Sequence, residues 1–179
     1  VSFLLVMIGA LMLMSSVLRD IRAGVMGILP IALAAVPFGL LLGSEAVRRG
    51  LSPAEISLMS LIVFAGSAQF LTVSIWSHPA PWAALALAAF LINLRHVLMS
   101  ASLSPKLKQF RTSQKMLVAF LLADEIWALN ENRAMHRDIT PGFYFGTALG
   151  LYVIWLAATI AGTALGEALP APETIGFDF

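Results

Sequence analysis

The chain has no cysteine among its 179 residues, so it can build no disulfide framework, cysteine-ligated zinc site or iron-sulfur cluster, and it has no thiol nucleophile. It is also poor in charge. Asp, Glu, Lys and Arg make up 12% of the residues, about half the roughly 25% of a soluble domain. The bases form no patch interleaved with aromatics, which argues against a nucleic-acid partner. No His-Glu-x-x-His or Gly-x-Ser-x-Gly motif is present, which removes the common signatures of a metalloprotease and a hydrolase elbow. No catalytic, cofactor or metal site is therefore expected. In place of these features the chain is 59% apolar, more than a water-soluble fold of this length can hide. The expected fold class is all-α: a polytopic integral membrane helical bundle whose solvent is the lipid bilayer.

The charges fall into short clusters between apolar stretches near the ~20 residues that a spanning helix needs. Six stretches follow: 1–18, 24–43, 54–76, 82–103, 116–130 and 143–165, with a polar tail at 167–179. The first stretch admits two readings, an extra span or an apolar extension ahead of a start at Met12 or Met14; the remainder, 19–179, is expected to form one transmembrane domain. The loop holding Lys106, Lys108, Arg111 and Lys115 is the largest basic cluster and is placed in the cytoplasm by the positive-inside rule. Residues 131–141 are expected on the opposite face, one spanning stretch away.

A cytoplasmic Arg19 and Arg22 fits that placement only if one intervening stretch fails to cross. The third stretch is the candidate, because its centre reads Phe64-Ala65-Gly66-Ser67-Ala68-Gln69-Phe70. A break or re-entrant turn is expected between Ala65 and Gln69, with Gln69 facing Asn93 or His96; the other reading is an ordinary helix using its small residues for packing. Glycines also recur at helical spacing, at Gly39 and Gly43, at Gly142, Gly146 and Gly150, and at Gly162 and Gly166. Such spacing lets helices approach closely in lipid. The stretches opening at Gly24 and Gly142 look faintly alike, a hint of a transporter-type internal repeat.

The polar residues that a bilayer should reject are the chemically informative ones. Asn93-Leu94-Arg95-His96 lies near the middle of the fourth stretch, where an Arg costs about 2.5 to 3.5 kcal/mol on insertion scales. Asn93 and His96 share a helical face and Arg95 points elsewhere. Asp124 and Glu125, adjacent on the fifth stretch, are the expected counter-charges, one pairing with Arg95 and the other facing a cavity. An acid in a poorly hydrated cavity holds its proton more readily, as a proton-coupling site requires. A structural ion pair, or acids resting at the membrane interface, would explain the same residues. A hydrolase using Ser67 or Ser100 with His96 as base, and a non-transporting assembly subunit, are the rival functions.

Gly-Ile-Leu-Pro-Ile at 27–31, Pro-Phe-Gly at 37–39, Gly-Leu-Ser at 50–52, Phe-Ala-Gly-Ser-Ala-Gln-Phe at 64–70, Asn-Leu-Arg-His at 93–96 and Asp-Glu at 124–125, in that order, resemble the AzlC-type branched-chain amino-acid permeases. The resemblance covers residues 19–179; the chain differs in its apolar N-terminal extension and in ending where relatives continue. It implies a multi-pass protein of the bacterial inner membrane that exports valine, leucine, isoleucine or analogues, presumed to be proton-coupled, with a small AzlD-type membrane subunit as partner. On that reading Arg95 or a helix N-terminus near Gly66 serves the substrate carboxylate. Ser67, Gln69 and Asn93 supply neutral hydrogen bonds, and Phe64, Phe70, Leu71 and Met99 wall the pocket.

Overall fold

The computed structural model describes residues 2–166; the tail 167–179 lies outside them. The described elements are α1 (Ser2–Arg48), α2 (Pro53–Ile62), α3 (Gly66–Ser74), α4 (Trp82–Leu103), a 3-10 turn (Ser104–Lys106), α5 (Thr112–Phe120), α6 (Asp124–Ala134) and α7 (Pro141–Leu165), with no strand among the described residues. Three segments, Met14–Arg48, Trp82–Lys106 and Pro141–Leu165, are long and apolar enough to cross a membrane, and the protein is an all-α membrane protein.

The first two apolar stretches are not separate helices. Arg19, Asp20 and Arg22 lie inside α1, because nothing from Ser15 to Ala23 is a glycine or proline and arginine is a good helix former whose head can leave the apolar face. At 1.5 Å per residue the 47 residues of α1 extend about 70 Å, against a hydrocarbon core of about 30 Å.

The described chain divides into two compact units, residues 2–31 with 100–151 and residues 32–99 with 152–166. In the first unit, α1 and α7 meet through glycine. A methyl group on Gly24 would overlap the carbonyl oxygen of Phe143 and lie 2.9 Å from the Thr147 nitrogen; one on Gly150 would lie 2.9 Å from Ile28 Cγ2. The Gly142, Gly146 and Gly150 spacing is thus a packing seam.

The expected fifth stretch is two half-helices, α5 and α6, separated by residues 121–123. They fold back on themselves. Glu131, near the end of α6, accepts from Lys106 Nζ and from Ser102 Oγ (2.9 Å), and Gln109, just before α5, donates to Asp138 at 3.3 Å. The segment enters and leaves at the same end of this unit, which also holds Asp20, bonded by Thr140 (2.7 Å) and 3.8 Å from Arg133. This corrects the topological expectation. Loop 106–115 and residues 131–141 lie at one end, because the stretch between them is too interrupted to run straight through.

The second unit repeats the device. Ser52 and Glu55 form a reciprocal capping box at the start of α2, with Pro53 in the first helical position. α2 stops at Ile62 and α3 begins at Gly66 after a break of residues 63–65. Ile56 and Val73 share a core with Leu42, Ala46 and Leu51, and Arg49 donates to the Ser74 carbonyl at the far end of α3 (2.9 Å). This hairpin, too, opens and closes at one end. Both breaks are three residues long and share one spacing: 62 to 120 and 66 to 124 are each 58 positions. The element order is therefore helix, hairpin, helix, hairpin, helix, and the repetition lies in the hairpins.

Candidate functional site

The break in the second unit exposes backbone that a bilayer cannot solvate, so its polar groups need protein partners. Tyr152 from α7 donates its hydroxyl to the carbonyl of Leu61 (2.8 Å), one of the last carbonyls of α2 that lack an intrahelical donor. Its ring stands edge-on to Phe64 with centroids 5.0 Å apart, and Phe64 is buried. Gly66 starts α3 beneath Trp155; a methyl group there would lie 3.2 Å from the indole. This glycine is needed for the close approach of the ring.

Gln69 is buried and carries two bonds: its amide nitrogen donates to Ser60 Oγ (2.9 Å), and Trp155 Nε1 donates to its carbonyl oxygen (2.9 Å). The expectation that Gln69 points away from lipid holds, but its partners are Ser60 and Trp155, not Asn93 or His96. The reason is the hairpin. Folding α3 back on α2 brings position 69 opposite position 60, one turn either side of the break. The break also falls slightly earlier than expected, at 63–65, because Gly66 and Ser67 are already in the first turn of α3.

Arg95 lies on α4, about 20 Å along the helix from Trp82 and about 12 Å from Leu103. It is half-buried, and it donates to Ser67 Oγ at 2.9 Å. A guanidinium cannot serve as a general base, so this contact gives Ser67 no activation as a nucleophile. The helix N-terminus at Gly66, with its unpaired N–H groups, and the Arg95 cation together make this break receptive to an anion. Asn93 and His96 are half-buried on the same helix. The carbonyl oxygen of Asn93 is buried with no hydrogen-bond donor among the described residues. Of the expected pocket walls, Met99 and Phe64 are buried and Phe70 and Leu71 partly so.

Asp124 and Glu125 belong to the first unit, where they are the first two residues of α6. Acids there face the positive end of the helix dipole, which stabilises the start of a half-helix. Asp124 is half-buried and Glu125 exposed. Behind them, Trp127 donates to Ser102 (2.8 Å), and the buried Asn130 donates to Thr147 (3.2 Å) and to the Ile126 carbonyl (2.8 Å).

Sequence reasoning missed Ser60, Tyr152 and Trp155. A signal existed for the two aromatics, since Tyr and Trp in the middle of an apolar stretch carry an O–H or N–H that needs a partner.

Residues 30–169 match the family model described as AzlC protein. An uncharacterized membrane protein of Archaeoglobus fulgidus is 33% identical over 148 residues, covering 83% of this chain and 64% of its own length. Inner membrane protein YgaZ of Escherichia coli is 32% identical over 158 residues, with the same shares of each chain covered. A Helicobacter pylori membrane protein is 25% identical over 142 residues, 79% of this chain and 61% of that one. The chain thus spans somewhat less than two thirds of these curated relatives. No solved structure matches.

Proposed function

The chain belongs to the AzlC family, and on that premise we propose that it is the large membrane subunit of an exporter of branched-chain amino acids, acting in a bacterial inner membrane with a small AzlD-type partner subunit. The observation that carries the proposal is the bond from Arg95 to Ser67 in the first turn of α3. It gathers a cation, a hydroxyl and unpaired helix N–H groups at a break beside apolar and aromatic side chains. An amino-acid carboxylate needs such a cation and donors. The Asn93 carbonyl oxygen supplies an acceptor suited to an ammonium group, and Phe64 and Phe70 supply apolar surface for a branched side chain. Glu125, exposed at the start of α6, is assigned the coupling proton.

The orientation follows from charge. Arg19, Arg22, Lys106, Lys108, Arg111, Lys115, Arg133 and Arg137 gather around the end of the first unit where Asp20, Glu131 and Asp138 are bonded, which leaves only Arg48, Arg49 and Arg95 of the chain's 11 bases elsewhere. By the positive-inside rule that end is cytoplasmic, so the α5–α6 hairpin enters from the cytoplasm.

Cells loaded with a valine-containing dipeptide, with and without the subunit pair, test the reading. Expression should lower intracellular valine, Arg95→Gln should abolish the effect at normal protein amount, and Glu125→Gln should remove its dependence on the proton gradient. Normal export by Arg95→Gln would refute the site, and no export by the intact pair would favour a subunit whose role is assembly alone.

A further inference from the structure

At the charged end of the first unit, α5 does not close fully against the end of α4. Between them lies a cavity of about 110 Å³. Its deep walls include Leu103, Leu107 and Val118, all buried; Ser100, Ser104 and Lys115 add the polar atoms. A slot walled this way is poor for water, which needs several polar partners to be held.

Charge is in surplus at its rim. Lys106 is held by Glu131, but exposed Lys108, Arg111 and Lys115 have no acidic partner among the described residues. The groove is lined by no carboxylate, so an amino acid would find nothing there to bind its ammonium group. Alongside, α5 exposes Met116 (73%), Leu117 (53%) and Phe120 (46%), side chains suited to acyl chains and not to water. The slot therefore sits where an exposed apolar surface meets a row of uncompensated cations.

We propose that the groove between the end of α4 and α5 is a binding site for an anionic phospholipid, with Lys115 on the headgroup phosphate and part of one acyl chain in the slot formed by Leu103, Leu107 and Val118. The serine hydroxyls add hydrogen bonds to the phosphate or glycerol oxygens, and Lys108 and Arg111 raise the local potential. Lys115, near the start of α5, can reach a headgroup, because a lysine stem lies along apolar surface while its ammonium group extends outward. Basic pockets between spanning helices are a recognised mode of headgroup binding. The free phosphate ion is not the ligand, since it would leave the apolar slot empty. The site depends only on the chain's being a membrane protein and not on what it transports.

The test is lipid retention by the purified full-length chain, measured by native mass spectrometry from micelles doped with phosphatidylglycerol or phosphatidylcholine. The protein should keep phosphatidylglycerol preferentially, and Lys115→Gln should weaken that retention about fivefold, the contribution of one basic residue at an anionic surface. Ala119→Phe, which fills the slot with every base intact, should weaken it as well, and Ala119→Leu repeats the test should phenylalanine unfold the protein. Arg137→Gln, an exposed base at the same end but outside the groove, should change nothing. Equal losses for Lys115→Gln and Arg137→Gln would mean diffuse attraction and overturn the site. So would retention untouched by both Ala119 variants, or displacement of the lipid by millimolar inorganic phosphate or by valine.

Discussion

Trp155→Phe is the perturbation that tests most directly how the α2–α3 hairpin is held. The indole N–H is the donor to Gln69, whose side chain is 1% exposed and whose amide nitrogen is committed to Ser60. Phenylalanine removes the donor and leaves a buried carbonyl oxygen without a partner, at about 1–3 kcal/mol. The smaller ring also loosens the contact with Gly66, so the single mutant mixes a packing loss with a hydrogen-bond loss. A double-mutant cycle with Gln69→Leu separates them. The packing loss is common to both arms and cancels, and the remaining coupling should be about 1 kcal/mol or more, as expected for residues in one buried network. The assay is unfolding of the purified protein in detergent, followed for the two single mutants and the double mutant. Additive losses would refute the bond, and with it the view that α7 clamps the hairpin at position 69.

Three further predictions follow from the packing, the hairpins and the charges. Gly43→Leu and Gly146→Leu should sharply reduce the protein recovered from membranes, since even a methyl group at either site would overlap backbone carbonyl oxygen; overpacking of this kind costs about 1–3 kcal/mol or more. Gly9→Ala meets nothing within 4 Å and should leave recovery unchanged. In cysteine labelling of intact cells with an impermeant reagent, Ser113→Cys and Asn132→Cys should behave alike and be protected; opposite behaviour of the two would refute the return of α6. Asp124→Asn should lower the amount of protein recovered from membranes and Asp124→Glu should not, because a carboxylate in the first turn of α6 faces the positive end of the helix dipole.

The sequence made the helices legible because apolar runs bounded by charges announce themselves, and the residues Gly66, Ser67 and Ala68 announced a weak point in the third run. Run length could not reveal that the chain turns back. Residues 54–76 are long enough to cross, and it takes contacts such as those of Arg49 with Ser74 and of Gln69 with Ser60 to show that they do not. The fifth run was harder still, because Leu121-Leu122-Ala123 contains no residue that breaks a helix by itself. There the break is set by the fold, with the acids Asp124 and Glu125 as the only local trace of a helix start. The partners of Gln69 were hidden for a different reason: Trp155 is 86 positions away, and sequence spacing carries no information at that range. Arg19, Asp20 and Arg22 misled in the opposite direction, since charges that end an apolar run need not end a helix.

The glycine seam between α1 and α7 also constrains how the protein is made. Gly24 rests on Phe143 and Gly146, so the first described helix has its closest neighbour in the last, 122 residues later in the case of Gly146. At about 5–20 residues per second a ribosome needs roughly 6–25 s to cover that distance. During that interval Gly24 and Gly43 present bare backbone grooves with no ridge to fill them, and both hairpins are delivered while the seam is still open. Insertion of α7 is then the step that closes this seam, and a nascent chain stalled before Pro141 should be held by the insertion machinery or degraded.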